Sequence, residues 1–246
     1  MECSARQRES NIVLALDLTS NSRRTLFSRS AELLKRVEPY ICAVKINHQL
    51  VLPLGLFDRV RKILRLAHSL ELPTIMDCKI NDIGNTNRVI AENYYRAGFD
   101  AVIANPFVGW EEGLQPVFEV AKQMKKGVIL LCYMSHKAAG EGYGQTIQQG
   151  NRLTEQYMAF AEKSLEWNAD GVVVGATYPE KIKQVRQILS DRVPIYSPGV
   201  GAQGGDVRLT IRAGAQYLIV GRIITNSRNP AVTARQIMEE SHLRKQ

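Results

Sequence analysis

The sequence has no uninterrupted apolar run near the ~18 residues that a membrane span requires, so no membrane partner is expected. Its first ten residues, MECSARQRES, are polar and lack an apolar core segment, so no secretory signal is expected. Cysteine is scarce. Cys3, Cys42, Cys78 and Cys132 are scattered without a CxxC pair, and three of them sit in apolar runs where the thiol acts as a small hydrophobe. That pattern argues against a disulfide framework or zinc cluster and for a reducing, cytoplasmic setting. The four histidines, His48, His68, His136 and His242, show neither HxH nor HExxH spacing, so histidine ligation of a metal is not expected. Hydrophobic residues at 45% and charged residues at 23% are ordinary for a globular chain, which excludes disorder and collagen-like repeats.

Charge is uneven. The net charge is +8, and residues 1–65 carry 12 basic against 6 acidic residues. A nucleic-acid patch is one reading of this excess. The other is a solvated helix face. In FDRVRKILRLAHSL, Phe57, Val60, Ile63, Leu64, Ala67 and Leu70 mark a buried stripe at helical spacing, with Arg59, Arg61, Lys62 and Arg65 mostly off it. Basic residues without interleaved aromatics favour the solvated face, and no nucleic-acid partner is expected. A positive field still helps to recruit an anionic small molecule.

Eight short apolar runs, at 12–17, 42–46, 74–79, 101–104, 128–132, 171–174, 193–197 and 217–220, alternate with amphipathic segments. The clearest of these segments are 25–37, 87–96, 114–124, 152–166, 180–189 and 231–240. Continuous rather than alternating apolar character marks parallel strands buried on both faces. Eight strands each followed by a helix predict an α/β fold, a (β/α)8 TIM barrel. No linker or composition shift divides the chain, so a single domain over 1–246 is expected, with a short polar N-terminal tail over about 1–10. An open doubly wound sheet is the second reading, but its GxGxxG turn is missing after the first strand, where LDLTSNSR stands. The longest gap holds the loop SHKAAGEGYGQ.

In such barrels chemistry lies at the C-terminal strand ends. The first strand ends in Asp17, the second carries Lys45, the third carries Asp77 and Lys79 with Asp82 beyond, and the eighth is followed by Gly221 and Arg222. Asp77 and Lys79 are two apart and share a strand face, and Lys45 can approach them from the neighbouring strand. Alternating signs are what buried charges require. An ion-pair network that only fixes the barrel accounts equally well for DxK alone; the other charged strand ends favour a site. The seventh strand leads into SPGVGAQGGD, whose glycines let backbone approach an anion. This loop followed by Gly221-Arg222 after strand eight predicts a phosphate site.

The segment DCKINDIGNT, with ALD, VKI, MSH, SPGVGAQGGD and VGR in this order, resembles the orotidine 5′-monophosphate decarboxylase family over most of the chain, about 12 to 222. The resemblance implies decarboxylation of orotidine 5′-monophosphate to UMP in pyrimidine biosynthesis, with no metal and no cofactor. It implies that Asp17 and Lys45 hold ribose hydroxyls and that Lys45, Asp77, Lys79 and Asp82 form the catalytic array. Ser135 would bind the pyrimidine and Pro198 line its pocket, while Gln203, Gly221 and Arg222 take the phosphate side. It also implies a homodimer whose partner supplies Asp82, Ile83 and Thr86. Thr86 has a local reading too, as a helix cap. Gly84 departs toward the related magnesium-dependent sugar-phosphate decarboxylases and synthases, which are the alternative, although Lys45 stands where the resemblance would give those relatives an acidic residue. A non-catalytic phosphate- or nucleic-acid-binding barrel is the remaining alternative. No PLP-type or flavin motif is evident, so a carbanion-like state would rest on Lys79, which can stabilise it and then protonate it. Loops 199–206 and 135–145 are candidates to close over the substrate.

Overall fold

All eight apolar runs become parallel strands, and they close on themselves. The computed structural model describes residues 1–242; the last four residues of the expected domain, 243–246, lie outside the described residues. The barrel strands are β1 (Ile12–Ala15), β2 (Ala43–Asn47), β3 (Thr74–Ile80), β4 (Ala101–Ala104), β5 (Gly127–Tyr133), β8 (Gly171–Val174), β9 (Ile195–Pro198) and β10 (Tyr217–Val220). They follow one another in chain order, and β10 returns to pair with β1 through Leu14 and Val220. Between β5 and β8 the chain inserts an antiparallel hairpin, β6 (Thr146–Gln149) and β7 (Arg152–Glu155). Strands β1, β8 and β10 are buried along their whole length, because side chains inside pack on one another and those outside meet the helix ring.

The helices bury one face each. Helix Arg23–Val37 buries Leu26, Ser30, Leu33, Leu34 and Val37, and Ser22 caps it by accepting from the Thr25 amide at 3.3 Å. Around residues 55–70 the predicted stripe is narrower than its spacing suggests. Val60, Ile63, Leu64 and Ala67 are buried, but Phe57 is 52% exposed. The cause is local: residues Gly55–Val60 follow Pro53 in a wider π-helical turn, so positions before 60 fall out of phase with the helix Arg61–Ser69. Lys62 and Arg65 face solvent, in line with a solvated basic face.

Three local expectations change. The N-terminal residues are not a tail: Glu2–Gln7 form a helix docked under the barrel, where the Ser4 hydroxyl donates to the Cys42 carbonyl at 2.8 Å. Nearly buried Arg8 anchors it to Glu38 at 2.9 Å. The segment predicted as helical from 152 is strand until Glu155, and its helix is Gln156–Glu166. Thr86 does not cap its helix, which runs Gly84–Ala97 with Ile83 at the cap position. No side chain caps this helix; Asn87 inside it instead ties down the preceding loop, accepting from the Asp82 amide at 3.0 Å and donating to the Gly113 carbonyl at 3.0 Å.

Candidate active site

The charged strand ends meet at one mouth of the barrel. The Lys45 ammonium donates to Asp77 Oδ2 at 2.7 Å and lies 4.0 Å from Asp17 Oδ1. Asp77 Oδ1 accepts from the Lys79 ammonium at 2.6 Å. The order is therefore Asp17, Lys45, Asp77, Lys79, alternating in sign across three adjacent strands. Asn47, two residues beyond Lys45 on the same face of β2, donates to Asp17 Oδ1 at 2.9 Å.

Burial controls the electrostatics. It works against charge on Lys45, which is 5% exposed, yet the carboxylates of Asp77 and Asp17 outweigh it and hold its pKa above the ordinary lysine value. Burial would also raise Asp77, but the ammonium groups of Lys45 and Lys79 prevail and bring it down to about 2. Both groups stay charged through neutral pH. Lys79 is the open end of the array, with its side chain 37% exposed.

Strand β3 reaches this geometry by an irregularity. Its pairing with β4 shifts register between Met76 and Ile80, and Lys79 has φ +48°, a conformation uncommon outside glycine. A bulge at this point re-aims the lysine, and strained backbone held by its surroundings clusters at functional sites. Asp77 and Lys79 do share the mouth, but through this kink rather than simple alternation.

The array borders a cavity of about 210 Å³. One wall is apolar: Ile103, Leu131, Met134, Val173 and Pro198. The other end is built by Gly199, Gln203, Gly221 and Arg222. Gly199 has φ +99°, and a Cβ there would meet Gln203 Oε1 at 2.8 Å and Ser135 Cβ at 3.0 Å. Only glycine lets this loop pass so close to Ser135. The Ser135 carbonyl accepts from Thr177 Oγ1 at 3.0 Å. Arg222 opens the short helix Arg222–Thr225, is exposed, and pairs with no carboxylate among the described residues.

Of the residues singled out by sequence, Asp17, Lys45, Asp77, Lys79, Ser135, Pro198, Gln203, Gly221 and Arg222 line this cavity. Asp82, Ile83 and Thr86 do not, and Ile83 is 69% exposed. Sequence reasoning missed Asn47, although its spacing from Lys45 was a usable signal. It also missed the rest of the apolar wall beside Pro198, namely Ile103, Leu131, Met134 and Val173, which read like any other core residues. Gly84 has a local explanation: a Cβ there would lie 2.8 Å from the Glu112 carbonyl oxygen, so packing alone requires glycine.

The family described as "Orotidine 5′-phosphate decarboxylase / HUMPS family" matches residues 10–237. An orotidine 5′-phosphate decarboxylase of Methanosarcina mazei is 37% identical over 234 residues, covering 95% of this chain and 96% of that protein. One from Pyrococcus abyssi is 37% identical over 229 residues, covering 93% and 98%. Among solved structures, the orotidine 5′-monophosphate decarboxylase of Methanocaldococcus jannaschii complexed with inhibitor BMP superposes with a TM-score of 0.81 at 29% identity, covering 95% of this chain and 99% of that one. With a match across nearly its whole length, on a closed eight-stranded barrel with these charged strand ends, the chain belongs to the orotidine 5′-phosphate decarboxylase / HUMPS family.

Proposed function

We propose that the protein, working as one barrel domain, is a carboxy-lyase that converts orotidine 5′-monophosphate to UMP and carbon dioxide in pyrimidine biosynthesis. The observation that carries this reading is the Asp17–Lys45–Asp77–Lys79 array beside an apolar wall, with a glycine-rich loop and an arginine that pairs with no carboxylate among the described residues across the same cavity. A nucleotide monophosphate has the matching parts: a base, hydroxyls and a dianion.

In this reading the phosphate binds against Arg222, Gly221 and Gln203, and Asp17 and Lys45 hold the ribose. Ser135 bonds the pyrimidine edge and Pro198 lines its pocket. The bond from C6 to the carboxylate breaks, carbon dioxide leaves, and the electron pair stays on C6. Lys79 stabilises that pair electrostatically and donates its proton to C6, then regains a proton from solvent. Asp77 keeps Lys79 charged and aimed. Binding at the phosphate end supplies orientation at the reacting end. Loops 199–206 and 135–145 close over the bound nucleotide.

The metal-dependent alternative is the weaker reading because of Lys45. Its ammonium stands between Asp17 and Asp77, so a protein cation already balances the carboxylates that a divalent ion would need. We further infer a homodimer in which Asp82, Ile83 and Thr86 reach the partner's cavity. Exposed Leu52, Ile83, Val89 and Phe107 supply apolar surface suited to such an interface. A cytoplasmic enzyme without nucleic-acid or membrane partners fits this reading. Among the described residues, no helix is long and apolar enough to cross a membrane.

The test follows the ultraviolet absorbance of orotidine 5′-monophosphate with purified protein in EDTA, with Lys79→Ala alongside. Conversion to UMP by the wild type alone is expected. No conversion by folded wild type, with activity on hexulose or pentulose phosphates when magnesium is supplied, would transfer the protein to the alternative.

A further inference from the structure

Asn47 is a polar side chain of the mouth that the chemistry described above leaves without a task. It ends β2, two residues past Lys45 and in register with Asp77, and it is half-buried on the cavity wall. Both ends of its amide are committed. Its Oδ1 accepts from the Gln49 backbone amide at 2.9 Å and so caps the helix His48–Leu54. Its Nδ2 therefore faces the mouth, where it donates to Asp17 Oδ1 at 2.9 Å. A flipped amide would lose the cap and set an oxygen against a carboxylate, so one orientation alone satisfies both partners.

Asp17 has little else to hold its side chain. It stands just beyond β1, and the nearest ammonium, Lys45, is 4.0 Å from its Oδ1. Lys45 gives its short bond, 2.7 Å, to Asp77. A separation of 4.0 Å is an ion pair without a hydrogen bond. Among the described residues, Asn47 is thus the side chain that hydrogen-bonds the Asp17 carboxylate. The other oxygen, Oδ2, lies beside Gly221, where a Cβ would sit 3.3 Å from it. Gly221 leads into Arg222, and all three residues line the cavity. The carboxylate is therefore divided: Oδ1 is taken by Asn47, and Oδ2 accepts no hydrogen bond among the described residues. Without the amide, Coulomb attraction would turn Asp17 toward Lys45, moving Oδ2 and competing with Asp77 for the ammonium.

We propose that Asn47 is a positioning residue, which holds Asp17 with Oδ2 presented to a sugar hydroxyl and so sets the preference for a ribonucleotide over a deoxynucleotide. Asp17 is the ribose contact in the function proposed above, and Asn47 takes its role from that reading. A carboxylate fixed to accept a hydroxyl disfavours the analogue that lacks it, because its oxygen is then left without a donor.

Isothermal titration with UMP, 2′-deoxy-UMP and 3′-deoxy-UMP tests this, alongside turnover of orotidine 5′-monophosphate by the wild type. The wild type should bind UMP at least ~10-fold tighter than one of the two deoxynucleotides, the scale of one charged hydrogen bond. In Asn47→Ala that ratio should shrink to about 3-fold or less, through weaker binding of UMP, as the hydroxyl contact is lost. Asn47→Ser is the second variant. Serine is a good helix cap but is too short to reach Asp17, so it separates the two bonds of the amide and should lose the discrimination as well. A role limited to the helix cap would weaken all three nucleotides alike in Asn47→Ala and leave Asn47→Ser like the wild type. An undiminished ratio in Asn47→Ser, or a wild type that binds all three nucleotides equally, would overturn the proposal while wild-type turnover kept the decarboxylase reading. No turnover by the folded wild type would instead remove that reading and the role of Asn47 with it.

Discussion

Lys79 stands at the open end of the charge array, and its place there makes it the residue most exposed to test. In the proposed mechanism, removing its ammonium takes away both the charge facing a developing carbanion and the proton that quenches it. Lys79→Ala should therefore lower kcat by on the order of 10³-fold or more, while circular dichroism stays native. Wild-type-like kcat in that variant would sink the mechanism. Arg222 should behave differently, because it is exposed, pairs with no carboxylate among the described residues, and in the proposed binding mode holds the phosphate in both ground and transition states. Arg222→Ala should cost about 2 kcal/mol in kcat/KM, mostly through KM, as expected for a lost charged hydrogen bond. Asp77 makes a prediction about pH. Its folded pKa of about 2 lies below the ordinary carboxylate value, so its contribution to stability is complete above that value and declines as pH falls toward 2. Urea midpoints of the wild type should fall between pH 5 and pH 3, and Asp77→Asn should fall less. Parallel loss in both proteins would assign the acid sensitivity to other carboxylates.

Among the elements, β3 and the helix after it show how much was legible. The eight barrel strands could be read because a parallel strand buried on both faces is continuously apolar, and nothing else in the chain has that texture at that length. The charged strand ends stood out for the same reason. The bulge at Lys79 could not be read, since it arises from pairing with β4 and goes with the salt bridge the lysine makes to Asp77. The N-terminal helix was illegible because MECSARQRES is polar, and it is held by a few specific bonds to Cys42, Glu38 and Tyr40 rather than by a stripe. The hairpin at 146–155 escaped because TIQQ and RLTE carry little apolar periodicity. Gly84 is the instructive case: it looked like a family marker, and its neighbours give it a packing role. Gly84→Ala must push the helix Gly84–Ala97 off the Glu112 carbonyl, so it should destabilise the fold by about 1–3 kcal/mol, the usual cost of overpacking. An unchanged urea midpoint would show that the segment around Glu112 yields freely.

At the scale of the whole molecule, the question is whether one chain holds a complete site. The cavity gathers nine of the twelve residues singled out by sequence, and the three it leaves out, Asp82, Ile83 and Thr86, all lie just past β3, with Asp82 and Ile83 exposed. Ile83 is exposed there, close in sequence to exposed Val89, a placement that makes sense if a second copy covers this face. Twofold symmetry then sets an arithmetic. If Lys79 of one subunit works with Asp82 of the other, every site in a Lys79→Ala dimer lacks the lysine and every site in an Asp82→Ala dimer lacks the carboxylate, so both should be nearly inactive. When the two variants are unfolded together and refolded, half of the dimers become mixed, and each mixed dimer carries one site with both groups intact. Activity should return to about a quarter of the wild-type value per chain. Recovery requires exchange, so mixing the folded variants without refolding should restore activity only as fast as subunits trade places. If each chain instead built its site alone, no mixture would contain an intact site, and the refolded pair would stay as inactive as its parents.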